Sequence, residues 1–337
     1  MEEVGKPILI MSSERSGSNL LRSILSSHPN IYGPVALQLW RTLSRVEEKY
    51  GDFQYDENVK ELADDALSIA KLEGTRFTWA LKATPDDVLE NLVDRSFSGV
   101  LLTIYELYAK QNENSIYVIK ENDLYEYAKN IVDANNKTKV IYLVRDGRDV
   151  ACSEKSVPTK NRHIYLLANQ WNFEQQKALK VYNELSDKHC FLLKYEDLIS
   201  DFENKVNELT EFLEIEPSDN MLEFYQNKEV KQQSKATDAW KNISSPIKRK
   251  NTGKYKDELS KADIKLYEKV AGNMLTKFDY ECDTGQYGSG VNPVMDFYYR
   301  VYNKFYKLAV GKDFKYPKED KKFINYKKEI VKKRANS

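Results

Sequence analysis

The 337-residue chain has few cysteines, few histidines and no excess of charge of either sign. Its three cysteines, Cys152, Cys190 and Cys282, lie far apart and lack a His/Cys pairing pattern, so neither a disulfide framework nor a zinc site is indicated. Lys plus Arg equals Asp plus Glu at 52 each, so no global field favours nucleic acid or a membrane. No apolar run approaches the ~20 residues of a membrane span.

The cysteine pattern is also typical of a reducing compartment. The first apolar run starts at Pro7, which leaves no room for a signal peptide before it. We therefore expect a cytoplasmic protein without a membrane span. The charge balance hides an asymmetry, because residues 291–337 carry thirteen Lys/Arg against five Asp/Glu, a surplus of +8.

The chain lacks the Gly-x-x-x-x-Gly-Lys-Ser/Thr loop with which nucleotide triphosphatases hold phosphates and Mg²⁺. In its place, residues 8–11 form an uninterrupted apolar run, residues 12–19 read Ser-Ser-Glu-Arg-Ser-Gly-Ser-Asn, and apolar residues then recur at helical spacing from Leu20. This order predicts a buried strand, a polar loop and a helix. Ligands of open α/β sheets bind where such a strand ends.

The loop has the chemistry of an anion site. Gly17 allows close approach of a ligand, Arg15 supplies a forked cation, and polar side chains come from Ser16, Ser18 and Asn19. Free N–H groups at a helix start also favour an anion. We predict a phosphate or sulfate site. The alternative is an ordinary capped helix start with one surface arginine.

Further apolar runs at 116–119, 140–144 and 190–193 alternate with segments of helical spacing. This alternation predicts an α/β fold with a parallel sheet of about four or five strands and helices on both faces. Predicted helices cover most of 36–73 with a break at 51–52, and 85–94, 99–110, 124–135, 163–186 and 202–213. Residues 28–34 and 230–255 are predicted loops, and 77–83 is a strand or a loop.

A second anion motif follows the strand at 140–144. Residues 144–153 read Val-Arg-Asp-Gly-Arg-Asp-Val-Ala-Cys-Ser. Arg145 leaves the strand at the carboxyl edge of the sheet, and Ser153 lies about two turns into the next helix. The pair can place a guanidinium and a hydroxyl on one anion.

Together the two motifs resemble those of the sulfotransferases that use 3′-phosphoadenosine 5′-phosphosulfate (PAPS), in the Arg-Ser-Gly-Ser form of the bacterial and Golgi-type branches. The resemblance implies that the first loop holds the 5′-phosphosulfate, and that Arg145 and Ser153 hold the 3′-phosphate. Gly147 stands where the family usually has Pro. The resemblance runs from about residue 7 to 280. It implies a P-loop-like three-layer sandwich at 1–285. It does not cover the tail, whose own pattern predicts a basic, aromatic helical extension at 286–337.

Other segments agree with this resemblance. Tyr195 begins a Tyr-Glu-Asp-Leu segment whose Tyr lies against adenine in the family. The basic segment 248–256 resembles the loop that closes over the 3′-phosphate, and it makes Lys248 and Arg249 the expected contacts. Lys120, at the end of a predicted strand, matches the family's next cation.

The acceptor's general base is the part that the resemblance does not supply. One branch uses the His of a Lys-x-His segment, but here Lys120 is followed by Glu121 and Asn122. Another branch uses a Glu after the His-Pro loop, where this chain has Ala36. Three possibilities stay open: Glu121 is the base; another group serves, such as His163 or an acidic residue of 36–90; or the chain is impaired. We favour Glu121.

We therefore expect a sulfotransferase that moves a sulfuryl group from PAPS to a hydroxyl or an amine of a small molecule, lipid or carbohydrate, and releases 3′-phosphoadenosine 5′-phosphate (PAP). Arg15, Lys120 and Glu121 are its expected catalytic residues, with no metal and no nucleic acid partner. The rivals are an impaired PAPS/PAP-binding protein and a P-loop kinase. Residues 294–310 predict a helix that packs on the domain or meets anionic lipid or substrate, and the Lys-rich run from Lys327 is expected to fray.

Overall fold

A five-stranded parallel sheet, in the order β2-β3-β1-β4-β5, organises the fold. The structure is a computed structural model and describes residues 5–157, 162–234, 244–247, 251–310 and 317–337. The strands are β1 Lys6–Ser12, β2 Ile31–Tyr32, β3 Ile116–Ile119, β4 Lys139–Val144 and β5 Cys190–Lys194. The predicted α/β sheet is confirmed.

Helices connect and cover these strands. The α-helices are α1 Ser18–Leu25, α2 Leu39–Leu43, α3 Asp56–Ala70, α4 Pro85–Glu90, α5 Phe97–Gln111, α6 Ala128–Ala134, α7 Gly147–Lys155, α8 Ile164–Glu184, α9 Tyr195–Ser200, α10 Phe202–Leu213, α11 Asp219–Leu222, α12 Lys228–Ser234, α13 Tyr255–Glu258, α14 Lys261–Lys277, α15 Pro293–Val310 and α16 Lys318–Ala335. Short 3-10 helices lie at Ser44–Tyr50, Leu124–Glu126 and Phe224–Gln226.

β1 lies in the middle of the sheet and is apolar on both faces. Leu9 and Met11 belong to a core shared with α2, α3, α5, α8 and α14, whereas Ile8 and Ile10 belong to a second core shared with α1, α9 and α10. Successive strand residues point to opposite faces, so an uninterrupted apolar run is what a doubly covered strand needs. This arrangement confirms the three layers.

Some local predictions need correction. The predicted loop at 28–34 contains β2, which pairs for two residues with Ile116 and Tyr117. Breakers on both sides, at Pro29 and Gly33, keep this strand short. Residues 77–83 form no regular element, and α12 occupies the start of the predicted 230–255 loop. The predicted break at 51–52 separates the first 3-10 helix from α3.

The carboxyl-terminal helix α16 is docked, and the expectation that it frays from Lys327 is wrong. Phe323 stacks on Phe77 with ring centroids 4.5 Å apart, and Arg334 Nε lies 3.0 Å from an Asp65 carboxylate oxygen. Lys327 Nζ donates to the Leu37 carbonyl at 3.2 Å. Within the described ranges, no helix combines the length and apolarity that crossing a membrane requires.

Candidate active site

The loop between β1 and α1 makes a sharp turn through two left-handed residues. Arg15 has φ 67° and Gly17 has φ 96°. The Ser16 N–H donates to the Ser13 carbonyl at 3.4 Å, and Ser13 Oγ accepts from Gln175 Nε2 of α8 at 2.6 Å. The loop is thus fastened to the helical layer and presents its central residues at the carboxyl edge of the sheet.

The amino end of α1 faces this turn without a side-chain cap. Gly17 is the capping residue and has no side chain to make a cap hydrogen bond, and Ser18 and Asn19 form the first turn of the helix. Ser16 is fully buried, yet its Oγ has no hydrogen-bond partner. Because buried polar atoms are normally paired, an orphaned hydroxyl beside an open helix start fits an anion.

The structure brings both predicted anion motifs together. Arg15 Nε donates to Ser153 Oγ of α7 at 3.0 Å, and Arg145 Nη1 donates to the Arg15 carbonyl at 3.2 Å. These contacts span 138 and 130 residues of sequence respectively. Two guanidinium groups therefore converge on one loop from the ends of β1 and β4.

Arg145 is buried and is held on several sides. Its guanidinium lies over the Tyr195 ring at 4.4 Å, Nη2 donates to the Asn251 carbonyl at 2.9 Å, and Asp149 lies 3.8 Å away. Its Nε is buried without a partner. Two carbonyls, one carboxylate and one ring hold the side chain, and its Nε–H is a buried donor that suits an acceptor such as a phosphate oxygen.

Tyr195 closes the space above Gly17. A Cβ atom added at Gly17 would lie 2.5 Å from the ring, closer than real contacts allow. The Tyr195 hydroxyl accepts from Asn251 Nδ2 at 2.6 Å. Glycine is therefore required at position 17 both by its backbone conformation and by the ring beside it.

The segment after residue 250 lies across α7. Asp149 accepts from the backbone N–H groups of Gly253 at 2.8 Å and Tyr255 at 3.0 Å. This contact brings the end of the predicted closing segment to Arg145. Lys248 and Arg249 lie outside the described residues, so their role as phosphate contacts stays a prediction.

Arg148, one turn after Arg145, is saturated by acidic partners. It contacts Asp146 at 2.8 Å and Glu268 of α14 at 2.6 Å, and it lies over the Tyr255 ring at 4.0 Å. Close packing explains the glycine at position 147, since a Cβ there would lie 2.2 Å from the Tyr267 hydroxyl and 2.5 Å from Trp171. The departure from the family's Pro thus accompanies close packing of α7 against α8 and α14.

Lys120 lies at the end of β3, on the same edge. Burial lowers the pKa of Lys120 to about 8, and the Arg22 and Arg15 guanidinium groups act in the same direction, whereas Glu121 opposes them. Burial also lowers the pKa of Arg15; Glu154 opposes this shift and Arg145 adds to it. Arg15 is thus one of the charged groups that lower the pKa of Lys120.

A carboxylate on the anion loop reaches the Lys-x-His position. Glu14 Oε1 accepts from Asn122 Nδ2 at 2.5 Å and lies 3.7 Å from Arg41 Nη1. Lys120 Nζ donates to Asn122 Oδ1 at 3.4 Å. Asn122 occupies the place of the expected histidine, so Glu14 lies one hydrogen bond from that position. The motifs gave no sign of this pairing, because 108 residues separate its members.

Glu121 is occupied elsewhere. Its carboxylate accepts from the Leu39 and Trp40 N–H groups at 2.9 and 3.2 Å and from the Tyr105 hydroxyl at 2.9 Å. It therefore caps α2 from inside the protein, and none of these contacts joins it to Arg15 or Lys120. Burial raises its pKa, against the effect of these hydrogen bonds. Its assignment as the general base stays a prediction without geometric support.

His163 and the buried acidic residue of 36–90 are also engaged in structural contacts. His163 caps α8 through Nδ1, which accepts from the Tyr165 N–H at 3.3 Å, and burial lowers its pKa. Asp65, the buried acidic residue, pairs with Tyr50 and Arg334. The site residues that the sequence motifs did not single out are Asn251, Asp149 and Glu14.

The chain matches the family model described as the Sulfotransferase family over residues 7–219. Among solved structures, the sulfotransferase domain of the Synechococcus PCC 7002 olefin synthase is 21% identical, with a TM-score of 0.50, and the match covers 83% of this chain and 98% of that one. The sulfotransferase domain from the curacin biosynthetic pathway is 18% identical, with a TM-score of 0.51 and coverage of 83% and 99%. No curated protein sequence matches.

Proposed function

Because this chain belongs to the sulfotransferase family, whose sulfuryl donor is PAPS, we propose that it transfers the sulfuryl group to a hydroxyl of a small molecule, lipid or carbohydrate. The observation that carries the proposal is the convergence of Arg15, Ser153 and Arg145 on the β1–α1 loop. An amine is the second acceptor class that the same site would serve.

The donor's two anionic ends would take different partners. The β1–α1 loop, with Ser16, Gly17 and the amino end of α1, would hold the 5′-phosphosulfate. Arg145 and Ser153 would hold the 3′-phosphate, and the Tyr195 ring would lie against the adenine. The unpartnered Ser16 Oγ and Arg145 Nε support this division, because each offers a buried donor that phosphate oxygens would satisfy.

Charge stabilisation would come from Arg15 and Lys120. During in-line transfer the acceptor oxygen forms a bond to sulfur while the bond from sulfur to the 5′-phosphate oxygen breaks, and PAP leaves. Negative charge then grows on the leaving phosphate and spreads over the sulfuryl oxygens. Fixed cations at this place lower the barrier because they need no reorganisation. After burial, and with Arg22, the Arg15 guanidinium contributes to the lowered pKa of Lys120.

Glu14 is the general base that we propose. The Glu14 carboxylate would take the proton from the acceptor hydroxyl. The Asn122 amide, which donates to Glu14 Oε1 at 2.5 Å, would hold this carboxylate in place. In this account the base has moved from the end of β3 to the anion loop. Ala36 and Asn122 favour an impaired binding protein as the second candidate, which would retain PAP affinity without turnover.

The test is a substitution and its rescue. With radiolabelled PAPS and a panel of hydroxyl acceptors, Glu14→Gln should lower kcat by roughly 10²–10⁴-fold, the range of general base catalysis. Its affinity for PAP should be unchanged. Adding Asn122→His would place an imidazole at the family's base position and should restore part of the rate. Glu121→Gln is the matched control for a carboxylate near Lys120.

Two outcomes would contradict the assignment. Full turnover in Glu14→Gln would exclude Glu14 as the base. Loss of rate in Glu121→Gln, with its melting temperature preserved, would return that role to Glu121. Wild-type protein that binds PAP and sulfates no acceptor in the panel would support the impaired binding protein.

A further inference from the structure

Helix α15 is amphipathic in the opposite sense from an ordinary surface helix. Its polar side faces the domain: an Asp296 carboxylate oxygen accepts from the Tyr165 hydroxyl at 2.6 Å, and Asn303 Oδ1 accepts from the His163 N–H at 3.0 Å. Tyr299 stacks on both rings, with centroids 4.7 Å from Tyr165 and 4.9 Å from His163. The helix is thus anchored to α8 by polar and ring contacts.

The opposite side of α15 is apolar and exposed. Val294 is 75% exposed, Phe297 69% and Phe305 66%, and Tyr298 is also exposed. Tyr302, at the border of this side, packs edge-on against the His163 ring with centroids 5.3 Å apart. With a 3.6-residue period, these side chains fall on one stripe, turned away from Asp296 and Asn303. Among the described residues, the exposed large apolar side chains concentrate on this helix, and such patches mark contact surfaces.

Basic side chains flank the apolar stripe. Lys304 is exposed, and Arg300, 60% exposed, pairs with Asp296 along one edge of the helix. Helix α15 itself carries three Lys/Arg against one Asp. An aromatic face with lysine and arginine at its edge is the composition of helices that lie in the interface of anionic bilayers. A second copy of the same face would bring like charges together at the rim, which disfavours self-association.

The helix lies next to the candidate active site. Arg15 contacts Ser153; the neighbouring Glu154 pairs with Arg162 at 2.7 Å; and His163 follows and stacks on Tyr299. These successive contacts connect α15 to Ser153 and Arg15 of the candidate active site. A partner bound to the apolar stripe would therefore be on a helix that is joined to the candidate active site.

We propose that α15 binds the headgroup region of anionic membranes through the stripe Val294, Phe297, Tyr298 and Phe305. The helix would lie in the plane of the interface without crossing the bilayer. A consequence, which rests on the proposed sulfotransferase function, is that the acceptor is membrane-borne and presents its hydroxyl at the headgroup level. Membrane binding itself does not depend on that consequence.

Vesicle co-sedimentation of the full chain tests the surface. Wild-type protein should bind vesicles of phosphatidylcholine with one quarter phosphatidylglycerol, bind pure phosphatidylcholine more weakly, and release from the anionic vesicles as salt rises. Phe297→Glu/Phe305→Glu should bind at least ~10-fold more weakly, since the variant loses the apolar area of two rings that would be buried in the interface. Lys304→Glu should weaken binding to anionic vesicles selectively.

Phe173→Glu is the matched control, because Phe173 is a half-exposed ring of α8 outside the stripe. It should bind vesicles like wild type. The melting-temperature shift with PAP, measured for each variant, reports folding and the cofactor site independently of lipid. If PAP does not shift the melting temperature but the protein binds vesicles, the sulfotransferase proposal fails and the proposal of membrane binding through α15 is retained.

Three results would overturn the proposal that α15 binds membranes. The first is no vesicle binding by protein that responds to PAP. The second is equal binding by the double variant and the wild type. The third is a dimer, seen by light scattering, that the double variant abolishes, which would assign the stripe to a second copy.

Discussion

The two sides of the candidate active site are built in different ways. On the proposed donor side, Arg15, Arg145 and Ser153 come from two compact motifs that follow neighbouring strands, and part-buried hydrogen bonds hold them together. On the proposed acceptor side, Glu14, Asn122 and Gln38, the residue before α2, come from three separate segments, and Asn122 makes one hydrogen bond to each of the other two. Fixed donor chemistry favours a local motif, whereas acceptor chemistry is assembled across loops.

The donor side rests on the buried ion pairs of Arg148, and removing them should produce the largest effect on stability. Arg148→Ala would leave Asp146 and Glu268 without their cation inside the protein, which costs about 3–5 kcal/mol of unfolding free energy. Urea unfolding measures this loss. Lys129→Ala, which removes an exposed pair with Asp133, should cost at most about 1 kcal/mol. Equal losses in the two variants would remove the contrast between buried and exposed pairs.

Arg15 lies on the anion loop of the donor side, so its loss should affect rate more than folding. Arg15→Ala should lower kcat/KM by roughly 10²–10³-fold, as expected when a preorganised donor to developing charge is removed. Steady-state kinetics with radiolabelled PAPS gives the number. Its melting temperature should fall less than that of Arg148→Ala. A rate within a few-fold of wild type would show that the anion loop does not stabilise the transferred group.

Gly17 tests how tightly the donor side is packed. Gly17→Ala would strain a backbone at φ 96° and push its Cβ into the Tyr195 ring, so we expect roughly 10-fold weaker PAP binding by calorimetry. Gly285→Ala is the control, because Gly285 has φ 67° but nothing within 4 Å of an added Cβ. Unchanged PAP affinity in Gly17→Ala would mean that the ring position is unimportant for the nucleotide.

Lys120 gives the smallest effect and the only one tuned by pH. Its folded pKa, about 8, lies below the ordinary value of 10.5, so Lys120 is charged below pH 8 and loses its charge above it. We expect kcat/KM, which reports the free enzyme, to fall as pH rises through 8. In Lys120→Arg the cation persists, and this basic limb should disappear. A limb that is identical in both proteins would assign the titration to another group.

The sequence predicts the donor side of the site better than the acceptor side. The strand, loop and helix around Arg15 follow from apolar spacing and turn chemistry, and the structure confirms this local order. The contact of Glu14 with Asn122 could not be predicted, since it depends on the parallel pairing of β1 with β3. The orientation of Glu121 could not be predicted either. Its position in the sequence places a carboxylate near the end of β3 but does not show that its side chain turns toward α2 and Tyr105.

The central claim is that Arg15 and Arg145 form one site for a 3′-phosphorylated nucleotide. A thermal-shift titration with PAP, 5′-AMP and ATP on wild-type and Arg145→Ala protein tests it most directly, because a ligand of the folded state raises its melting temperature. We predict stabilisation of the wild type by PAP well above that by 5′-AMP or ATP, and loss of this preference in Arg145→Ala. Equal stabilisation by all three nucleotides, or a PAP preference that survives in Arg145→Ala, would contradict the account.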